Sequence, residues 1–298
     1  MHIFNNNQFT DDFDALIVNT DTLDFLKTVP DKKVNLIVTS PPYNIGKVYE
    51  KKVKFQQYLN WQFEVIKECH RILNDGGALC WEVGNYIEKG EVFPLDIYFY
   101  NMIKQLPDLK LRNRIIWYFE SGLNATYRLS GRYETILWFT KGDNYTFNLD
   151  LIRVPQKYPD KKGYKGKHKG EVLSNPLGKN PSDVWKVLED DWSKLMWDIP
   201  VVKAHHPEKT IHPAQFPIEL VERLVLALTN ENDIVLDPFM GVGTTLLAAI
   251  LHNRRAVGID KEKSYCDIAI DRINALINGT LKRRYLGTVK YEPKAVIK

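Results

Sequence analysis

Asp237-Pro238-Phe239-Met240-Gly241-Val242-Gly243-Thr244-Thr245 joins two stretches of opposite character. Before it, Ile234-Val235-Leu236 is short, apolar and β-branched, as a buried parallel strand requires. After it, Leu246-Leu247-Ala248-Ala249-Ile250-Leu251 is a strong helix former. Strand, tight glycine loop and helix form the junction where an α/β sheet holds a cofactor, outside the carboxyl end of the strand. Gly241 and Gly243 let the backbone approach a ligand closely. Thr244 or Thr245 stands where it can cap the helix. Ala256-Val257-Gly258-Ile259-Asp260 is a second short strand, and its carboxylate falls 23 positions after Asp237. That is the distance at which an acid reaches ribose hydroxyls in a nucleotide-binding βαβ unit. The loop has no third glycine at the dinucleotide spacing and no Gly-Lys-Ser/Thr. A cofactor with a ribose but no phosphate at this loop suits it better. On this stretch alone, a structural turn in an α/β protein is the plainer alternative.

The second informative stretch lies near the other end of the chain. Val34-Asn35-Leu36-Ile37-Val38 reads as a strand and runs into Thr39-Ser40-Pro41-Pro42-Tyr43-Asn44. Proline has no N–H, so the pair ends the ladder, and Ser40 is biased to an extended conformation. The Ser40 and Pro41 carbonyls lose regular partners, and Tyr43 projects from a stiff loop. Acceptors beside a flat ring would hold a planar amine, with the ring on its face. The alternative is a rigid turn with a packed tyrosine.

Between these stretches, residues 55–73 carry a helical apolar stripe and 78–83 read as a strand. Residues 92–106 read as a helix, and 111–119, 133–140 and 145–149 as β segments. Near the start, 16–19 read as a strand; Asp21 either caps the following helix or meets a ligand. Residues 153–169 change character: Arg153, Lys157, Lys161, Lys162, Lys165, Lys167 and Lys169 stand against one acid, Asp160. That net +6 exceeds the +4 of the whole 298-residue chain. Tyr158 and Tyr164 are interleaved, so the segment reads either as a solvated loop or as a phosphate-contacting one. His205, His206 and His212 have no acid or cysteine at familiar ligand spacing, so no metal is expected. A helix is expected over 218–229 and a last core helix over 265–277.

Hydrophobic content of 44% and charged content of 26% suit a globular protein. No apolar run approaches bilayer length, and the first residues lack a basic-then-apolar signal pattern. Three cysteines make no disulfide framework. A cytoplasmic protein with no membrane partner is expected.

Taken together, the Ser40-Pro41-Pro42-Tyr43 and Asp237–Thr244 stretches resemble the DNA methyltransferases that modify exocyclic amines. The catalytic motif precedes the cofactor motif, which resembles the beta-class, permuted order of restriction-modification enzymes. His212-Pro213-Ala214-Gln215-Phe216-Pro217 resembles the family's helix-leading motif, with Ala214 and Phe216 in place of the commoner Thr and Lys. The resemblance implies a Rossmann-like, mostly parallel seven-stranded α/β sheet and S-adenosylmethionine as methyl donor. It implies catalysis by Ser40, Pro41, Pro42 and Tyr43. Cofactor contacts would come from Asp21, Thr39, His212, Asp237, Pro238, Phe239, Gly241, Gly243, Thr244 and Asp260. Residues 1–150 and 207–280 would form the catalytic domain, 151–206 a target-recognition insertion and 281–298 a peripheral basic tail. The substrate implied is double-stranded DNA with a flipped base. A homodimer and a companion restriction endonuclease are the further partners implied. Family members with Ser at the first motif position usually act on cytosine N4, so Ser40 favours cytosine. Adenine N6 is the alternative, and an RNA or protein amide substrate a more distant one.

Overall fold

The computed structural model describes residues 3–5, 8–46, 52–119, 124–156, 158–185, 202 and 206–285. Lys157 and His205 lie outside them. The strands are β1 (Ile3–Asn5), β2 (Ala15–Asn19), β3 (Val34–Thr39), β4 (Leu73–Val83), β5 (Asn85–Glu88), β6 (Glu91–Pro94), β7 (Leu109–Tyr118), β8 (Tyr133–Lys141), β9 (Val184–Trp185), β10 (Ile234–Asp237) and β11 (Arg255–Asp260). The α-helices are α1 (Thr22–Leu26), α2 (Phe55–Ile72), α3 (Leu95–Ile103), α4 (Ile218–Leu228), α5 (Thr244–Leu251) and α6 (Lys263–Ile277).

Nine strands form one sheet in the order β1-β2-β11-β10-β3-β4-β8-β7-β9, while β5 and β6 make a separate hairpin. Neighbours are parallel except on either side of β8. Seven strands were expected. The two extra ones are the short edges, three-residue β1 and two-residue β9. β9 comes from the expected insertion 151–206 and pairs with Ile116 and Trp117 of β7.

Side chains alternate between two cores, as the period of a strand requires. Ala15 and Ile17 enter the core built by α4, α5 and α6. Leu16 and Val18 enter the core built by α1, α2 and α3. β10 and β3 are neighbours, yet the helix after β10 packs on the first face and the helix after β3 on the second. The crevice between them is thus a topological switch point, where ligands bind in open α/β sheets.

Three local expectations differ. Residues 92–106 begin as strand: Val92 and Phe93 pair with Ile87 and Tyr86, and helix α3 starts only after Pro94. Residues 145–149 are not a strand. Asn148 N donates to Ala227 O at 2.7 Å and its Nδ2 to Thr229 O at 2.8 Å, so this backbone serves the end of α4 instead of a ladder. Nor do residues 281–285 form a peripheral tail. Arg283 meets Glu222 at 3.1 Å and Arg284 N donates to Glu208 at 3.2 Å, both acids being buried.

Candidate active site

Parallel strands place all their carboxyl ends at one edge. There the loop 237–244 is fastened at its first residue. Asp237 is fully buried. Its Oδ1 accepts from Thr39 Oγ1 at 2.6 Å and from Phe239 N at 3.0 Å. Its Oδ2 accepts from Thr245 Oγ1 at 2.6 Å. Burial lifts its pKa to about 6 against the opposing pull of these three bonds. Thr245 is therefore not the helix cap. Gly243 takes that position with φ +77°, and a Cβ on it would stand 2.8 Å from Ala269 Cβ of α6. Thr244 Oγ1 instead accepts from Arg272 at 3.2 Å.

A cavity of about 1320 Å³ opens over this edge. One end is walled by Asp21, Phe239, Gly241, Thr244 and Asp260. Ser40, Pro41, Pro42 and Tyr43 wall the other, and His212 also lines the cavity. Thr39, Asp237, Pro238 and Gly243 are absent from the wall; they shape the loops behind it. Asp21 fits both readings made of it, since its side chain accepts from Leu23 N at 2.9 Å to cap α1 while it lines the cavity. Thr22 Oγ1 donates to Pro238 O at 2.6 Å, tying α1 to the glycine loop.

Asp260 holds the same loop from the other side. Its Oδ2 accepts from Gly241 N at 3.0 Å and its Oδ1 from Glu262 N at 2.8 Å. Burial raises its pKa to about 6. Each oxygen keeps a lone pair for a hydroxyl donor. His212 stands edge-on to Tyr265 with centroids 4.7 Å apart. Burial, aided by Lys209, lowers its pKa to about 4, so the imidazole is neutral. Its Nε2 would lie 3.2 Å from a Cβ on Gly241, where φ is +50°. Phe216, at the family's Lys position, packs against the α4–α6 core.

At the other end, Ser40 Oγ lies 3.2 Å from Tyr43 Oη, and Tyr43 donates to Glu82 Oε2 at 3.0 Å. Glu134 joins Glu82 from the neighbouring strand. Burial, then the charges of Glu134 and Glu82, raises the Tyr43 pKa, so the phenol keeps its proton. Sequence reasoning overlooked Glu82, Glu134, Trp61, Glu262 and Tyr265, all on the cavity wall. Glu82 had a signal: it is the one acid in the apolar run Leu79-Cys80-Trp81-Glu82-Val83. A buried carboxylate in a strand is costly without a partner or a task.

The basic segment is mostly exposed at Lys161, Lys162, Lys165, Lys167 and Lys169. Arg153 is different: it pairs with Asp150 at 2.6 Å and donates to Gly178 O at 3.1 Å, largely buried. Among the described residues no helix is long and apolar enough to cross a membrane.

A glycine loop with an acid at the neighbouring strand end, facing a Ser-Pro-Pro-Tyr loop across one cavity, is the α/β site that the resemblance to amine-modifying methyltransferases implies. The family model for N6- and N4-type DNA methylases matches residues 34–271, and the chain belongs to that family. It is thus an S-adenosylmethionine-dependent DNA methyltransferase. The type II methyltransferase M.BglII of Bacillus subtilis is 48% identical over 254 residues, 85% of this chain and 67% of that protein. The DNA adenine methyltransferase YhdJ of Escherichia coli K12 is 33% identical over 271 residues, 87% of this chain and 82% of that one. Among solved structures, the cytosine-N4-specific PvuII DNA methyltransferase superposes with TM-score 0.64 at 18% identity, covering 90% and 93% of the two chains. A Thermus thermophilus protein complexed with S-adenosyl-L-methionine superposes with TM-score 0.58 at 26% identity, covering 92% and 99%.

Proposed function

We propose that this chain methylates the N4 amine of a cytosine flipped out of double-stranded DNA. The observation that carries the choice of base is Ser40 at the head of the Pro-Pro-Tyr loop, on the cavity wall. When bound, the cofactor supplies an electrophilic methyl group on a sulfonium. Asp260 would accept hydrogen bonds from the ribose hydroxyls, and the Gly241 backbone and neutral His212 would pack beside the chain that carries the sulfur. Tyr43 would stack on the flipped base. Ser40 Oγ and the Pro41 carbonyl would accept the two amine hydrogens, turning the nitrogen lone pair out of conjugation and toward the methyl carbon. Positioning of this kind provides much of the acceleration in a direct displacement.

Residues 151–206 are the proposed target-recognition segment, with the exposed lysines on phosphates and Tyr158 and Tyr164 beside them. The type II names of relatives such as M.BglII support a setting with a companion endonuclease. Adenine N6 is the second reading, favoured by the 33% identity to YhdJ. Nucleoside mass spectrometry of DNA incubated with protein and S-adenosylmethionine separates the two. N4-methylcytosine is expected. N6-methyladenine as the sole product would overturn the choice of base and leave the site assignment standing.

A further inference from the structure

Beyond the groups that would touch base and cofactor, the cavity wall carries two carboxyls. Glu82 on β4 pairs across the strands with Ile136 of β8. Cross-strand partners share a face, as do residues two apart on one strand, so Glu134 is the diagonal neighbour of Glu82 on that face. Gly84 leaves the room they need: a Cβ there would stand 3.2 Å from Tyr43 Cε2 and 3.3 Å from Glu134 Oε1. Glu82 is 3% exposed. Its Oε1 has no N–H or hydroxyl donor among the described residues, and the Glu134 carboxyl lies within hydrogen-bonding reach of the Glu82 carboxyl. Two carboxyl oxygens bond only through a proton, so the pair holds one between them.

The bonds along this row have a direction. Tyr43 has one hydroxyl proton and gives it to Glu82 at 3.0 Å. Ser40 also has one hydroxyl proton, and both acceptors within its reach, Tyr43 Oη at 3.2 Å and the Glu82 carboxyl, lie on this row, so its lone pairs are left for the cavity. Each hydroxyl proton in the row points toward Glu82. We propose that the Glu82–Glu134 pair takes up the proton lost by the amine on methylation, relayed through the Ser40 and Tyr43 hydroxyls. This deepens the amine-methylation reading above and rests on it.

The step balances. As the nitrogen lone pair forms the bond to carbon, the carbon–sulfur electron pair stays on sulfur, and the nitrogen is left cationic with its two hydrogens. One of these passes to Ser40 Oγ while the Ser40 proton moves to Tyr43 Oη and the Tyr43 proton to Glu82 Oε2. The nitrogen keeps the N–H electron pair and becomes neutral. Glu82 becomes a carboxylic acid, and the pair goes from one proton to two. Burial raises the Glu82 pKa, which makes it a better acceptor than an exposed glutamate, while bonds from Glu134, Ser40 and Tyr43 lower it. Burial and then the Glu82 charge raise Glu134 well above the ordinary range, so the pair retains a proton, and Glu82 Oε2, which accepts from Tyr43, is the oxygen that meets the relay. The titratable groups facing Glu82 are Tyr43 from the loop after β3 and Glu134 from β8. Both acids act through Tyr43 and Ser40, which makes them positioning residues in the relay.

The test is the pH profile of single-turnover methyl transfer for wild type, E82Q, E134A and E134Q, with cofactor and DNA affinities measured beside it. Wild-type rate should fall as pH drops through the pair's apparent pKa. E82Q should keep both affinities, lose about 100-fold or more in rate, and show no acid limb. E134A removes the donor that steadies the Glu82 charge, so its acid limb should move to higher pH. E134Q restores an N–H donor and should bring the limb back toward wild type. An unchanged rate and limb in E82Q, or the same limb in E134A as in wild type, would overturn the relay. A wild-type protein that transfers no methyl at any pH would overturn the functional reading beneath it, at a step the variants do not share.

Discussion

Asp237→Ala removes the acceptor of three buried donors at once: Thr39 Oγ1, Thr245 Oγ1 and Phe239 N. A buried donor left without a partner costs about 1–3 kcal/mol, so the mid-range loss is about 6 kcal/mol. The change also removes a buried charge. Burial lifts the Asp237 pKa from 3.8 to about 6, which corresponds to about 3 kcal/mol at a pH above both values. The net expected destabilisation at pH 7.5 is therefore about 3 kcal/mol. Its pH dependence has a fixed sign. A folded-state pKa above the unfolded one means the folded state binds the proton more tightly. This contribution to stability is fullest below pH about 4 and is lost as pH rises to about 6. The Asp237→Ala cost should thus be larger at pH 5 than at pH 7.5, by about 1 kcal/mol. Because Asp237 stands behind the cavity wall, cofactor affinity should fall through displacement of the loop, by about tenfold or more, the equivalent of about 1.4 kcal/mol. Asp237→Asn keeps an acceptor for Thr39 and Phe239 and offers an amide to Thr245, so it should stay close to wild type. Denaturant unfolding at the two pH values and calorimetric titration with S-adenosylmethionine measure all of this. If Asp237→Asn loses affinity as completely as Asp237→Ala, the carboxylate charge meets the cofactor directly and the positioning account is refuted.

Gly258→Ala should lower stability by about 1–3 kcal/mol through overpacking, because its Cβ would stand 2.4 Å from Met240 Sδ and 2.6 Å from Leu246 Cδ1; thermal unfolding checks it. Tyr43→Phe keeps the ring and deletes the hydroxyl between Ser40 and Glu82, so single-turnover rate should fall about 10–100-fold with DNA affinity unchanged; equal loss of both would contradict it. Replacing Lys161, Lys162 and Lys165 together with Ala should weaken DNA binding and reduce the salt slope by about 0.9 for each phosphate no longer neutralised; binding isotherms at several salt concentrations read the slope.

The loops at the strand ends were legible in the sequence because each is a local signal: glycines after an apolar run, prolines after another, an acid at a third. Which way those side chains face was not. Asp237 and Asp260 both end strands, yet only Asp260 lines the cavity, since the Thr39 and Thr245 hydroxyls claim Asp237 from neighbouring elements. Gly243 caps α5 because α6 packs against it, a contact between residues far apart in the chain. Glu134 is joined to Glu82 only by the antiparallel register of β4 and β8, which no spacing within either strand shows. The basic run at 153–169 was visible as charge, but Arg153 turned out to serve its own segment.

The most direct measurement is single-turnover transfer of a labelled methyl group from S-adenosylmethionine to DNA by wild type and Ser40→Ala, with both affinities determined on the same preparations. Labelled cytosine from wild type, and a rate reduced by about 100-fold or more in Ser40→Ala with binding intact, is the predicted result. A Ser40→Ala protein that transfers the label at the wild-type rate would contradict the claim that this loop holds the reacting amine.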